Sequence, residues 1–370
     1  MDKGRRTSQN GMAPRAIRTF LIRSRGFRFP LCNLPFFPPP ARLLGTWSIE
    51  MTTPNPTRRD LLKSVLAASV PLGAASAISE AFAQIKPEPG SDKLTAYQDG
   101  PQIWIRWANR LVLSYRAHPT QKYPYLYPFS GPVSGLSLTA ETCVPYPHHR
   151  SVFFACDRVN GGNYWQGPVE LGQIVSKGLR LGEVTPQSAQ ILDVCEWRRP
   201  GQEPVMTDSR KITVHIVSDQ LRWIDAEIQW TAVRDVTIEK TNHALFSVRA
   251  AADLIPWAGG TLENASGQSG EKATFGQPAA WCTYYNRRSG LPADVVEGVA
   301  LFDHPTNPWK DCPWFTRDYG FISPSPFNFL EKPWQLAAGK SVRLRYRVVG
   351  YAGTPKEADL EGIYKAWAGT

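Results

Sequence analysis

From Lys93 onward the chain is a succession of short β segments with no helices alternating between them, and this limits the fold more than any other feature. Residues 103–107, 110–115, 190–197, 211–218, 235–240 and 245–251 are each bounded by Gly, Pro, Asn or Asp, the residues that end strands in turns. Two segments alternate cleanly. Ile224, Ala226, Ile228 and Trp230 oppose Asp225, Glu227 and Gln229, and Val342, Leu344, Tyr346 and Val348 oppose Arg343, Arg345 and Arg347. A period of two with one apolar side is a half-buried antiparallel strand. The tail, 355–367, has Leu360, Ile363, Tyr364 and Trp367 at helical spacing. The expected fold is all-β, one large antiparallel two-sheet sandwich with a short C-terminal helix. No fixed-period repeat or low-complexity linker divides residues 84–370, so they read as one domain.

The first 83 residues read differently. Residues 1–50 hold nine Lys or Arg against two acids, with a proline run at Pro38–Pro40, and would be disordered if translated. Arg58-Arg59-Asp60-Leu61-Leu62-Lys63 then precedes an uncharged Ala-rich stretch, 64–79, and a small-residue site at Ala81-Phe82-Ala83. That is the pattern of a twin-arginine export signal, 51–83, interrupted by Pro71 and Gly73 and too short to span a bilayer stably. Such signals begin close to the initiator, so Met51 is the expected start, residues 1–50 an over-long gene prediction and Gln84 the expected mature start. Export leads to the periplasm or beyond, with the twin-arginine translocase as a transient partner.

Trimming also decides the charge argument. The formal charge of +10 falls mostly before Gln84, and the rest holds 30 basic against 28 acidic residues. A nearly neutral domain gives no electrostatic reason to expect nucleic acid or a membrane surface as partner. Cys143, Cys156, Cys195, Cys282 and Cys312 remain, without metal-type spacing. Proteins exported folded have no need of bridges, so single buried cysteines are expected.

Cofactor motifs are missing. Gly339-Lys340-Ser341 comes nearest to a phosphate loop, but Trp334 stands where the upstream glycine belongs and the run leads into a strand. There is no Gly-x-Ser-x-Gly and no Gly-x-Gly-x-x-Gly on a βαβ unit. Chemistry concentrates in two stretches. In the first, His148-His149-Arg150 precedes an apolar run, Ser151 to Ala155, which empties into Asp157, Asn160 and Gly161-Gly162, with Trp165 beyond. In the second, Asp303, His304, Asn307, Trp314, Arg317, Asp318 and Tyr319 share a proline-punctuated loop, the kind of segment where function gathers on a rigid scaffold. His304 with His148 and His149 would make a three-histidine metal set if that strand has not begun at His149. His243, Arg249 and Asn264 to Gly267 either complete a polar pocket or are turn and strand-edge residues. Twelve tryptophans follow Gln84; those in turn-rich stretches, among them Trp257, Trp309 and Trp314, either fill the core or offer flat faces to a sugar ring.

His148-His149-Arg150 with Phe153-Phe154-Ala155, Val159-Asn160-Gly161, Tyr164-Trp165, Phe302-Asp303-His304-Pro305, Asn307-Pro308, Trp314 and Arg317-Asp318-Tyr319-Gly320 together resemble the PmoA-like family of exported bacterial proteins of unknown function. The second half is similar to galactose-mutarotase-like supersandwiches. Departures from the PmoA-like pattern are Trp309-Lys310-Asp311-Cys312 after Asn-Pro and Phe315 next to Trp314. The resemblance implies a supersandwich that handles a small carbohydrate, with a histidine as acid and a carboxylate as base, as a lyase, hydrolase or epimerase. The residues expected to carry the chemistry are His148, His149, Asp157, Asp303 and His304. Arg150, Asn160, Trp165, Asn307, Trp314, Arg317 and Tyr319 are expected to hold the sugar. No metal or other cofactor is called for, and no nucleic acid. A non-catalytic carbohydrate-binding protein is the alternative, and a metal-dependent oxygenase the third reading.

Overall fold

The computed structural model describes residues 93–288, 290, 291 and 294–370. The expected gene start, the export signal and the first residues of the expected mature chain lie outside them. The described chain forms two antiparallel sheets. One orders its strands Leu94–Asp99, Gln102–Trp107, Arg110–Arg116, Tyr125–Phe129, Val152–Val159, Ala244–Arg249, Phe321–Pro324 and Trp314–Arg317. The other runs Thr261–Asn264, Trp281–Arg287, Val296–Asp303, Ser341–Ala352, Leu221–Ala232, Met206–Ser218, Ser188–Arg198 and Gln173–Ser176.

The two alternating segments lie side by side as the centre of the second sheet, Asp225 opposite Arg347 and Glu227 opposite Arg345. Ile224, Ala226, Ile228 and Trp230 face inward to pack on the first sheet. Phe154 of the first sheet meets Trp197 and Trp230 of the second with ring centroids 5.6 and 5.7 Å apart, and Phe246 stacks on Tyr346 at 4.7 Å. Each fully buried aromatic of this kind contributes about 1.5–3 kcal/mol by leaving water. On the outer face, charges pair across the strands, and Arg347 lies bidentate on Asp225 at 2.7 and 2.8 Å.

The tail helix forms over Leu360–Ala368, shorter than the spacing predicts. Asp359 in a left-handed conformation caps it, its carboxylate accepting from the Gly362 amide at 3.1 Å. Leu360 and Trp367 bury against Trp281, Phe302 and Tyr351, so the helix covers the outer face of the second sheet. The expected strand 235–240 shrinks to Val236–Ile238. The five cysteines among the described residues are free, and burial pushes the thiols of Cys156, Cys195, Cys282 and Cys312 up, leaving them inert apolar fillers. No described helix is long and apolar enough to cross a membrane.

Candidate functional site

The strand expected to stop near Ala155 continues to Val159, so Asp157 is a strand residue, not part of the turn beyond it. Arg158 takes φ 53° and makes a bulge opposite Gly162–Asn163. A bulge lets the buried side of the strand resume after one residue: Asp157 and Val159 are both buried while Arg158 is exposed.

The neighbouring strand Ala244–Arg249 brings Thr241 and His243 opposite Asp157. The Thr241 hydroxyl donates to one carboxylate oxygen of Asp157, and His243 Nδ1 lies 2.8 Å from the other. A carboxylate accepting from Nδ1–H fixes the tautomer and leaves the Nε2 lone pair free for chemistry. Trp165 stacks on the His243 ring at 5.5 Å and 27° and holds its plane.

His148 and His149 sit in a turn ahead of the strand, with the His149 amide donating to the Tyr146 carbonyl at 3.0 Å. The turn is pinned by Arg249 Nη2, which donates to the Val144 carbonyl at 3.3 Å, and by the Tyr123 hydroxyl, which donates to the His148 carbonyl. Because the strand has not begun, the two rings meet, 4.5 Å apart. His148 also reaches within 6.3 Å of His243. Burial first, then neighbouring positive groups, pushes His148 down to about 4 and His149 to about 2. Both are therefore neutral imidazoles at ordinary pH.

These side chains line a cleft of about 350 Å³, closed by Gln166, Asn242, Phe315, Phe321, Arg317 and Tyr319. Arg317 bonds Glu271 at 3.2 Å with its guanidinium over Phe315 and Phe275. Burial pushes Tyr319 up to about 12, so its hydroxyl stays a donor. Two buried atoms of lining residues, His149 Nδ1 and Trp165 Nε1, have no protein partner.

Other expected site residues lie elsewhere. Asp303 and His304 line a separate cleft with Trp309, Lys310, Cys312 and Tyr364. The three-histidine set is therefore split, and among the described residues no group of three or more His, Cys, Asp or Glu is arranged to hold a metal ion. His304 packs edge-on against Trp367 at 4.6 Å, with Nδ1 accepting from the Thr306 amide. It seats the C-terminal helix. Asn307 ties Asp303 to the Arg345 backbone. Trp314 is wholly buried, its indole N–H donating to the Ala279 carbonyl at 2.8 Å, and Trp309 packs among Phe327 and Trp334. Asn160 ties its turn to Asp235 and Thr237. Arg150 turns away to Tyr125, which donates to Glu141. A loop's polarity can thus be structural, because a turn must satisfy its own backbone groups.

His243 is the residue that local spacing alone could not place in this cleft. The signal available was Thr241-Asn242-His243 standing before an apolar strand, the same arrangement as His148-His149-Arg150 before theirs. Only the pairing of the two strands puts His243 against Asp157.

The second cleft yields a stability prediction. Burial raises the Asp303 carboxyl from 3.8 to about 7. A raised acid favours the folded state fully below pH 4, and that contribution is lost as pH rises through 7. Asp303→Asn keeps an acceptor for Asn307 without the charge, so the variant gains on the wild type by on the order of 3 kcal/mol between pH 4 and 8. Urea unfolding of both proteins at the two pH values checks this; a pH-independent difference contradicts it.

The described fold is a large antiparallel two-sheet sandwich with a histidine-lined cleft on one sheet. The chain belongs to a family of unknown function, DUF6807, whose model matches residues 102–365. Among solved structures it is similar to the galactose 1-epimerase from Lactobacillus acidophilus NCFM, at 9% identity and a TM-score of 0.34 over 70% of this chain and 98% of that one. It is also similar to the GalM/aldose epimerase homologue from C. elegans, at 9% identity and 0.31 over 71% and 96%. No curated protein sequence matches the chain.

Proposed function

We propose that the cleft between Tyr146, His148, His243 and Tyr319 binds a small carbohydrate and exchanges a proton with one of its hydroxyls through His243. The observation that carries this reading is the Asp157–His243 pair, a buried carboxylate 2.8 Å from Nδ1 of a histidine at the wall of an aromatic cleft. An imidazole oriented by a carboxylate is a general base that can return the proton as an acid. Asp157 orients and does not itself touch the sugar. His148 and His149, held neutral, serve as hydrogen-bonding groups for hydroxyls and not as the acid expected from the sequence. The Tyr319 hydroxyl and Arg317 complete the polar wall, while C–H faces of the ring pack on the aromatics. A proton taken from the anomeric hydroxyl opens the ring and begins epimerisation at that carbon, whereas a lyase would need His243 to take a C–H proton and a hydrolase the proton of a water. A panel of mono- and disaccharides, oxidised sugars included, tested by calorimetry against wild type and His243→Ala addresses the reading.

Binding without turnover is the second reading. It is favoured by the absence of any Asp or Glu among the residues lining the cleft, which leaves the dyad without a carboxylate partner of its own for a second proton.

Export belongs to the same proposal, as does kinship with the PmoA-like proteins. Arg58-Arg59 ahead of an Ala-rich stretch supports delivery by the twin-arginine translocase to the periplasm or beyond. Replacing both arginines with lysine is expected to leave the protein in the cytoplasm, as read by fractionation. An undiminished periplasmic fraction in that double variant would refute export by this route.

A further inference from the structure

Trp257 is 68% exposed. Its turn is nevertheless built tightly, which separates it from a tryptophan left outside by a loose loop. The amides of Ala258, Gly259 and Gly260 donate to the carbonyls of Ile255, Pro256 and Ile255 at 2.9, 3.0 and 2.9 Å. Asn286 Nδ2 clamps the turn from outside, donating to Asp253 at 2.7 Å and Ala258 at 3.3 Å. Gly259 takes φ 83°, and a Cβ on Gly260 would lie 2.1 Å from the Leu254 carbonyl oxygen. The backbone therefore admits glycine at both positions and fixes where residue 257 projects.

It projects beside the cleft. The Trp257 ring meets that of Tyr319 edge-on with centroids 6.0 Å apart. Tyr319 in turn packs on Tyr146 at 4.8 Å, lies over the Arg249 guanidinium at 4.8 Å, and lines the cleft itself. The sequence of rings His149, Tyr319, Trp257 is thus one continuous aromatic ridge running from the cleft to solvent. An indole held in water at a fixed place, next to a pocket, retains hydrophobic free energy that a ligand face can release.

We propose that Trp257, together with the outer edge of Tyr319, is a subsite for a second sugar ring, so that the ligand is a disaccharide or longer glycan and not a free monosaccharide. The proposal rests on the reading of the cleft as a carbohydrate site and adds to it the substrate class. The first ring occupies the cleft between His243 and Tyr319; the next ring, carried out through the open side, lays its C–H face on the Trp257 indole. Contact of this kind is sequence-tolerant stacking, which sets length and not the identity of the sugar.

The test is isothermal calorimetry with glucose, galactose, cellobiose, maltose and lactose on wild type, Trp257→Ala and Trp257→Phe. Wild type is expected to bind at least one disaccharide about tenfold more tightly than its component monosaccharides. Trp257→Ala is expected to erase that advantage while leaving monosaccharide affinity unchanged, and Trp257→Phe to restore part of it. Equal affinity for one and two rings in the wild type, or an advantage that survives in Trp257→Ala, would overturn the subsite and leave the cleft reading standing. Binding of neither class by the wild type would overturn both. Circular dichroism of the exposed-site variants, which remove no buried contact of the core, confirms that each loss is local.

Discussion

His243→Ala is expected to lower turnover of the sugar selected by the binding screen by about 10²–10⁴-fold, with affinity changing by no more than about tenfold. The argument follows from position. Nδ1 is occupied by Asp157 at 2.8 Å, and Trp165 fixes the ring plane, leaving Nε2 as the free nitrogen. A group that moves a proton in the transition state affects kcat, whereas a group that only holds the sugar affects KM. Asp157→Asn tests the orientation separately. It keeps the shape but leaves one acceptor oxygen where the Thr241 hydroxyl and His243 Nδ1–H each use one, so it is expected to give a large loss that His243→Ala does not add to, because the pair acts as a unit. Steady-state kinetics on the two single variants and the His243→Ala, Asp157→Asn double variant decides; additive losses, or turnover retained in His243→Ala, would remove His243 from the reaction and favour the binding-only reading.

The largest stability effect is expected at Arg210. Its guanidinium lies 2.6 and 3.0 Å from the Asp208 carboxylate, both groups almost wholly buried, with the Trp197 indole N–H donating to the same carboxylate at 2.6 Å. Removing one partner leaves a buried charge unpaired, which destabilises by about 3–5 kcal/mol. Arg210→Met is therefore expected to lower unfolding free energy by that amount. Asp208→Leu with Arg210→Met removes both charges and is expected to recover most of it, short of the lost Trp197 bond. Urea denaturation reads both. A loss under about 1 kcal/mol in the single variant would show that water reaches the pair. The consequence is not confined to the second sheet: Arg210 lies over the Phe154 ring at 5.6 Å, on the strand that carries Asp157.

Much of the sandwich was legible because its central strands keep one side apolar. The alternation at 224–230 and 342–348 reports burial directly, and both segments pair in the register that places their charges opposite each other. The end of the strand at 152–159 was misread for a physical reason. Asp and Asn-Gly-Gly mark turns by composition, but a single left-handed residue, Arg158, absorbs the bend and lets pairing continue. The helix starts late because Pro355 to Ala358 are spent on turns and Asp359 supplies the cap.

The site was legible in its parts and not in its assembly. His148, His149, Trp165, Arg317 and Tyr319 do line one cleft. Asp303 and His304 looked equivalent in sequence because both stretches put a His beside Pro and an Asp close along the chain. Their strand, Val296–Asp303, belongs to the other sheet, and there they meet the C-terminal helix. Trp314, flanked by Pro313, had the look of a loop residue; it begins a short strand and fills the core. Which polar clusters converge depends on strand order, and the neighbour of Val152–Val159 in the sheet, Ala244–Arg249, comes from far along the chain.

A crystal soaked with the tightest-binding sugar of the panel tests the central claim most directly. The account predicts a sugar between Tyr146, His148 and Tyr319 with a hydroxyl within hydrogen-bonding distance of His243 Nε2. A sugar bound in the Asp303–His304 cleft, with the His148–His149–His243 cleft empty, would contradict it.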